Sequence, residues 1–195
     1  MHFVIRLFPE ITVKSPSVRK RMVRQLADNL RIIVRRDFPS ARVRQDWDKL
    51  DINVRGLEDE VTAVAMARIL AAVPGVANFA RVRTFPCKTL HEAYQATAAV
   101  WGALLEGKTF CVRAKRAGKH EFTSTEIEQY VGGGLNQNYA TGGVRLKSPD
   151  VTVHVELRDE LLYVIEQKLP GLGGFPIGTP VSYTHLTLPT KPSGG

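Results

Sequence analysis

The chain has 195 residues, a net charge of +8 and an apolar share of 44%, which suits one large globular domain or two small ones. Its basic charge favours phosphate-rich partners. The two cysteines form no C-x-x-C pair and no Cys/His cluster has zinc spacing, and no apolar run approaches the roughly 20 residues that span a bilayer, so we expect a reduced, cytoplasmic protein without a metal site or membrane anchor.

The first half of the chain has strand and helix patterns in the order β-α-β-β-α-β. Ser15 and Pro16 suit the N-cap and first position of a helix, which Phe38-Pro39 ends. The predicted elements are residues 3–8, 16–38, 41–47, 50–54, 58–72 and 76–83. The apolar residues expected to face inward from the helix at 58–72 are Val61, Val64, Ala65, Ile69 and Leu70. This order of elements is the ferredoxin-like arrangement.

The long helix that starts at Pro16 carries a basic stripe opposite its apolar stripe. At about 100° per residue, four cations fall on that side: Lys20, Arg24, Arg31 and Arg35. Such a stripe is typical of a solvated helix face, and contact with a polyanion is the alternative.

The second half predicts a further α/β unit with three strands. A helix is expected over 89–105 and a strand over 109–115. Thr123 and Glu126 have capping-box spacing and start another helix. Two strands are predicted at 151–157 and 161–167. Residues 169–179 hold four glycines and two prolines, which predicts a linker, and residues 181–195 are interpreted as a non-native tail.

One segment of this second unit is strongly basic. Residues 108–119 contain five cations and no acid: Lys108, Arg113, Lys115, Arg116 and Lys119. We name residues 113–120, which include His120, the basic turn. Its composition is typical of phosphate contact, and a solvated turn is the alternative.

Three glycines lie inside the helical pattern that follows the basic turn. Gly132, Gly133 and Gly134 each cost about 1 kcal/mol relative to alanine in a helix. They predict a break in the helix, close packing, or close approach of an RNA backbone with Asn136 as a polar contact. The nucleotide-binding glycine motifs are absent, and no catalytic set emerges from the sequence.

Five ordered segments resemble one known family. They are FPEITVKS at 8–15, EGKTFCVRAKRAGKHEF at 106–122, YVGGGLNQ at 130–137, SPDVTVHVEL at 148–157 and GLGGFPIGT at 171–179. The chain therefore resembles the bacterial tRNA sulfurtransferases, the 4-thiouridine synthetases that are also linked to thiamine thiazole synthesis.

The resemblance implies an α+β protein of two domains. Residues 1–84 would form the ferredoxin-like domain (βαββαβ) and residues 85–168 an α/β THUMP domain, although a profile boundary near residue 60 is also compatible. Residues 169–180 would lead to an ATP pyrophosphatase domain. THUMP is expected to bind the 3′ acceptor end of tRNA, and the ferredoxin-like domain to help hold it.

The chemistry of the family belongs to segments that this chain does not match. In the family the following domain adenylates a uridine with ATP, and a persulfide cysteine delivers sulfur taken from a cysteine desulfurase. Some members add a rhodanese domain, and a homodimer is implied. We therefore expect this chain to bind tRNA without a cofactor of its own and without thiolating activity by itself.

The resemblance also ranks the site residues. The expected phosphate contacts are Arg113, Lys115, Arg116, Lys119 and His120. Lys14 and Arg24 are second-rank candidates, and the glycines at 132–134 and Asn136 shape the binding surface. Two alternatives remain: the THUMP module of another tRNA modifier, such as a methyltransferase or pseudouridine synthase, and a ferredoxin-like metabolite-binding protein.

Overall fold

The computed structural model describes residues 1–45, 49–56 and 59–179. The predicted tail at 181–195 and residues 46–48, which include the end of the strand predicted at 41–47, lie outside the described residues. The strands are β1 (His2–Leu7), β2 (Arg42–Gln45), β3 (Lys49–Asn53), β4 (Val76–Pro86), β5 (Phe110–Ala117), β6 (Val151–Arg158) and β7 (Leu161–Pro170). The helices are α1 (Pro9–Thr12), α2 (Pro16–Asp37), α3 (Glu60–Ala71), α4 (Leu90–Trp101) and α5 (Ser124–Asn138), with a 3-10 turn at Ala103–Leu105.

The seven described strands form one sheet in the order β2-β3-β1-β4-β7-β6-β5. The first four neighbours have the strand order of a ferredoxin-like domain, which confirms the β-α-β-β-α-β prediction. Strands β5 and β6 are parallel and are connected through α5, whereas the other neighbouring pairs are antiparallel.

Strand β4 joins the two halves of the protein. One edge of β4 pairs with β1, and the other edge pairs with β7 from Asn78↔Pro170 to Pro86↔Leu161. The boundary predicted at residue 84 therefore falls inside a strand, and the two halves share a continuous sheet.

All described helices pack on one side of this sheet, which we name the helix face. Phe3, Ile5 and Phe79 pack there against α2 and α3, while Phe110 and Val153 pack against α4 and α5. The opposite side, the open face, buries a small cluster of Val4, Ala80 and Val82 beneath Tyr163 and Ile165. No described helix contributes to that cluster.

Helix α3 turns a different side to the core from the one predicted. Its buried residues are Ala63, Met66 and Leu70, whereas Val61 is 81% exposed and Val64 is 44% exposed. The inward orientation predicted for Val61, Val64 and Ala65 is therefore wrong. Apolar residues lie all around this helix, so its periodicity does not single out one face.

Helix α5 runs unbroken through its three glycines, from Ser124 to Asn138, so the predicted helix break is wrong. Thr123 caps its start with the predicted capping box to Glu126. Gly134 lies against the ring of Tyr94, which allows α4 and α5 to approach closely.

The segment predicted as a linker packs on the first half of the protein. Residues 169 and 170 belong to β7. Beyond them, Gly75 N donates to Gly173 O at 2.7 Å, and Gly173 N donates to Val76 O at 2.7 Å. The Phe175 ring meets the Phe8 ring edge-on, with centroids 6.2 Å apart. Residues 171–179, which we name the C-terminal segment, are therefore held against the ferredoxin-like half.

Candidate nucleic-acid interface

The basic turn lies where β5 ends and the chain reverses toward α5. Strand β5 continues to Ala117, and Gly118 follows with a φ of +99°. A β-carbon at position 118 would lie 3.1 Å from Asp159 Oδ1. Glycine suits this turn because it adopts positive φ without steric cost and leaves room for Asp159.

Two side chains of the basic turn stabilise its shape. Arg116 Nη1 donates to Phe122 O at 2.6 Å. His120 Nε2 donates to Ala117 O at 3.0 Å, and its ring stacks on Phe122 with centroids 6.3 Å apart. Because these contacts close the turn, replacing either residue would change its shape as well as its charge.

The remaining cations of the basic turn project into solvent. The Arg113 side chain is 46% exposed; its Nη1 lies 3.6 Å from Glu128 Oε2 and its Nη2 donates to Leu146 O at 3.3 Å. Lys115 and Lys119 are exposed, and neither forms an ion pair with any residue in 1–45, 49–56 or 59–179. These two ammonium groups are thus available to an anion.

His154 reports the positive field beside the basic turn. It pairs with Arg113 across the parallel strands β5 and β6. Desolvation lowers the pKa of His154 first, and the positive charges of Lys168, Lys115 and Arg113 lower it further. The contribution of these three cations marks a positive electrostatic potential, which favours an anion such as phosphate.

The second-rank candidates lie away from the basic turn. Lys14 stands over the Phe175 ring at 5.6 Å. Arg24 is exposed on α2, which covers the helix face, whereas Arg113 and Lys115 alternate with buried Val112 and belong to the open face. The sheet therefore separates Arg24 from these two residues.

The glycines of α5 pack mainly against the protein itself. Gly132 is buried, with Val112 beside it, and Gly134 meets Tyr94, whereas Gly133 has no atom within 4 Å of its β-carbon position. We therefore withdraw Gly132 and Gly134 as RNA contacts. Asn136 is exposed and its Oδ1 accepts from Thr141 Oγ1 at 2.8 Å, which ties the end of α5 to the next loop.

Neither cysteine has the environment of a nucleophile. Both are buried. Burial raises the pKa of the Cys87 thiol to about 11, and the nearby Glu92 carboxylate adds to the effect. A thiol of this pKa stays protonated and unreactive near neutral pH.

Among the residues that the structure describes, no group of three His, Cys, Asp or Glu could hold a metal, and no helix is long and apolar enough to cross a bilayer.

Sequence reasoning missed a second group of cations beside the sheet. Arg42 and Arg44 on β2, Arg55 and Arg83 line a cavity of about 680 Å³. Glu166 is the one acid among its described lining residues, and it already pairs with Arg81 and Arg83 at 2.8 and 2.6 Å. The alternation in ARVRQ at 41–45 places Arg42 and Arg44 on one face, but no local pattern relates them to the basic turn.

Comparison with known proteins identifies the two halves. Residues 2–80 match the ThiI ferredoxin-like domain and residues 87–165 match the THUMP domain. The chain is 51% identical to the tRNA sulfurtransferase of Saccharophagus degradans over 95% of its own length. It is homologous to the N-terminal ferredoxin-like and THUMP portion of tRNA sulfurtransferases. The tRNA sulfurtransferase of Aeromonas salmonicida is 50% identical over 92% of the chain. The chain spans 38% and 36% of the lengths of these two relatives.

Solved structures share the same fold. The crystal structure of PH1313 from Pyrococcus horikoshii superposes on this chain with a TM-score of 0.75 and 22% sequence identity. The match covers 92% of this chain and 58% of the Pyrococcus horikoshii chain. A 4-thiouridine synthetase–RNA complex with bound ATP matches 91% of this chain and 44% of its own, with a TM-score of 0.70 and 22% identity. At these identities the likeness establishes the arrangement of the two domains and nothing finer.

Proposed function

We propose that this chain binds tRNA through the basic turn, as the substrate-binding part of a sulfurtransferase that makes 4-thiouridine. The observation that carries this proposal is the exposure of Arg113, Lys115 and Lys119 around a glycine turn, where the two lysines have no ion pair with any described residue. The homology to tRNA sulfurtransferases and the RNA in the related synthetase complex support tRNA as the anion.

The physical basis is neutralisation of phosphates. Each phosphate that a lysine or arginine neutralises releases condensed counterions, so the logarithm of the binding constant falls linearly with the logarithm of salt concentration, by about 0.9 per duplex contact. Three contacts from the basic turn would therefore contribute about 2.7 to that slope. Arg116 and His120 support these contacts by closing the turn.

The wider proposal follows the family. The bound region of tRNA is its 3′ acceptor end, and the sulfur reaches the full-length protein from a cysteine desulfurase. ATP binds a separate pyrophosphatase domain of that protein, which acts in the cytoplasm, supplies thiamine thiazole synthesis as well, and forms a homodimer. The chain described here contributes binding and no chemical step.

Binding of tRNA and of an acceptor-stem minihelix over a salt series tests the proposal. The variant Arg113→Ala/Lys115→Ala/Lys119→Ala leaves the turn-closing Arg116 and His120 in place. Its matched control is Lys20→Ala/Arg21→Ala/Arg36→Ala, which removes three exposed cations from α2 on the helix face. We expect the turn variant to lose affinity for both RNAs and about 2.7 of the salt slope, and the control to retain most of both.

Two outcomes would contradict this function. Unchanged affinity and slope in the turn variant would mean that the basic turn is a solvated surface. Equal losses in the turn variant and the α2 control would mean that net charge, rather than this site, governs binding. Loss of tRNA binding with retained minihelix binding would keep the RNA-binding role but contradict recognition at the acceptor end.

A further inference from the structure

A single row of paired residues crosses the whole sheet from the ferredoxin-like half to the THUMP half. Each residue of the row is the strand partner of the next. In order across the sheet, the row contains Arg42, Asn53, His2, Val82, Ile165, His154 and Arg113.

This row places two distant cation groups on the same surface. Residues paired on neighbouring strands point to the same side of a sheet. Arg42 therefore shares the open face with Arg113, and alternation along the strands adds Arg44 and Lys115 to it. The sequence separates these groups by about 70 residues, and only the pairing of β4 with β7 brings them onto one face.

Most charged side chains in the middle of the open face are already paired. Arg6 pairs with Glu156 at 3.4 Å, and Arg158 pairs with the same carboxylate group at 2.6 Å. Lys49 is 2% exposed, and its Nζ lies 3.9 Å from Asp51 Oδ2. These groups are paired with one another. Lys168, the strand partner of Ala80 on the same face, is exposed and forms no ion pair with a described residue, so it adds one cation between the two groups.

The ferredoxin-like end of the open face has unpaired charge. Arg42 and Arg44 are exposed on the edge strand β2, and neither side chain forms an ion pair within residues 1–45, 49–56 and 59–179. They border the arginine-lined cavity described above, in which Arg55 and Arg83 add two more exposed cations. We name Arg42 and Arg44 the β2 arginine pair.

The distance between the two cation groups selects a long anion. Six strand-to-strand steps separate β2 from β5 in the sheet order, and at about 4.8 Å per step they span about 29 Å. Phosphates on one strand of a B-form DNA duplex advance about 3.4 Å per base pair, and an A-form RNA duplex rises less per base pair. An RNA stem that reaches both groups therefore needs more than about eight base pairs, which a nucleotide or a short oligonucleotide lacks.

We propose that the β2 arginine pair binds the backbone phosphates of the same RNA that occupies the basic turn, so that the RNA stem lies across the open face of the sheet. This inference rests on the function proposed above. It adds to that function the RNA-contact residues of the ferredoxin-like half, the face of the sheet on which the RNA lies, and the minimum length of the RNA.

The test compares RNA stems of two lengths on the full chain. The variant Arg42→Ala/Arg44→Ala is measured with a twelve-base-pair RNA hairpin and with a four-base-pair hairpin over a salt series. We expect about tenfold weaker binding of the long hairpin at 0.1 M salt and a slope smaller by nearly 2. Binding of the short hairpin, which reaches only the basic turn, should not change.

Matched variants make the result specific. Lys20→Ala/Arg21→Ala removes the same charge from the helix face and should leave the binding of both hairpins unchanged. Arg42→Lys/Arg44→Lys keeps the charge on β2 and should retain the salt slope. Thermal unfolding followed by circular dichroism checks that each variant keeps the fold. If the alanine pair unfolds the chain, Arg42→Gln/Arg44→Gln takes its place, with the same expected losses.

The outcomes separate this inference from the proposed function. If the alanine pair leaves long-hairpin affinity and slope unchanged while the basic-turn variant loses both, the open-face inference is overturned and the proposed function stands. Equal losses for the two hairpin lengths, or from the Lys20/Arg21 control, also overturn the inference. If neither the alanine pair nor the basic-turn variant affects RNA binding, both fail.

Discussion

Gly134 lies beneath the ring of Tyr94 where α5 meets α4. A β-carbon at position 134 would come within 2.5 Å of Tyr94 Cδ2, so the two helices are closer than a larger residue permits. The adjacent Gly133 faces open space, with no atom within 4 Å of its β-carbon position. Two neighbouring glycines in one helix thus have different structural roles.

Alanine at these two positions should change stability in opposite directions. Gly133→Ala adds no clash and gains helix propensity, so it should stabilise the chain by up to about 1 kcal/mol. Gly134→Ala should destabilise it by about 1–3 kcal/mol, because Tyr94 has to move to admit the methyl group. Urea unfolding of both variants measures the difference. A gain in stability for Gly134→Ala would contradict the close packing of α4 on α5.

The sequence predicted the elements of the fold because their patterns are local. Met22, Leu26 and Leu30 recur at helical spacing and are all buried in α2. The partner of β4 could not be predicted in the same way, since alternation along residues 76–86 shows which side chains share a face but not which strand lies alongside. The hydrophobic pattern also could not predict which side of α3 faces the core, because apolar residues lie all around that helix.

In the candidate site, too, local features could be predicted from the sequence and long-range relationships could not. The five cations of residues 108–119 form a local cluster that the sequence displays directly, and their contact with RNA stays a prediction. Arg42 and Arg44 were not singled out because their relation to Arg113 depends on five further strands between them. Cys111 is buried although it alternates along β5 with the buried Val112, which alternation alone does not predict.

His154 should make the protein less stable as the solution becomes mildly acidic. Its pKa in the folded chain is lowered by desolvation and then by Lys168, Lys115 and Arg113, whereas the unfolded value is about 6.5. The unfolded chain therefore binds this proton more readily, so its contribution lowers stability as pH falls below about 6.5 and vanishes above that value.

Unfolding free energies at pH 7.5 and 5.5 check this prediction. The drop between the two pH values should be smaller in His154→Gln than in the unchanged chain. His91→Gln, at an exposed position on α4, is the comparison variant. The same drop in His154→Gln as in the unchanged chain would contradict a lowered pKa at His154.

Neutralising Glu128 should strengthen RNA binding. Its Oε1 accepts from Ala114 N at 2.9 Å and its Oε2 lies 3.6 Å from Arg113. Glu128→Gln keeps an oxygen for Ala114 N but removes the negative charge beside Arg113. Two unit charges about 4 Å apart in water interact by about 1 kcal/mol. Removing the Glu128 charge should therefore raise the affinity for RNA by up to about fivefold.

A filter-binding titration with tRNA at low salt measures this change. Glu10→Gln makes the same change of charge at an exposed position on α1 and serves as the control. A fivefold gain in both variants would assign the effect to net charge. Weaker binding by Glu128→Gln with an intact fold would contradict a phosphate contact at Arg113.

The C-terminal segment should protect the ferredoxin-like half from local opening. Gly75 N donates to Gly173 O, and Gly173 N donates to Val76 O. The amides of both glycines should therefore exchange slowly with solvent. A β-carbon at Gly171 would collide with Val76 O and the Val76 side chain. Gly171→Ala should therefore displace the segment and speed exchange at Gly75 and Gly173 by about tenfold or more, which corresponds to a loss of at least about 1.4 kcal/mol of local stability.

Amide hydrogen exchange followed by nuclear magnetic resonance resolves this effect by residue. Val164, in the separate core beneath α4 and α5, should keep its exchange rate in the same variant, because the displaced contact lies in the other half. Leu172→Ala, which shortens an exposed side chain one residue further on, should leave all three amides unchanged. Fast exchange at Gly75 and Gly173 in the unaltered chain would mean that the segment does not hold this position in solution.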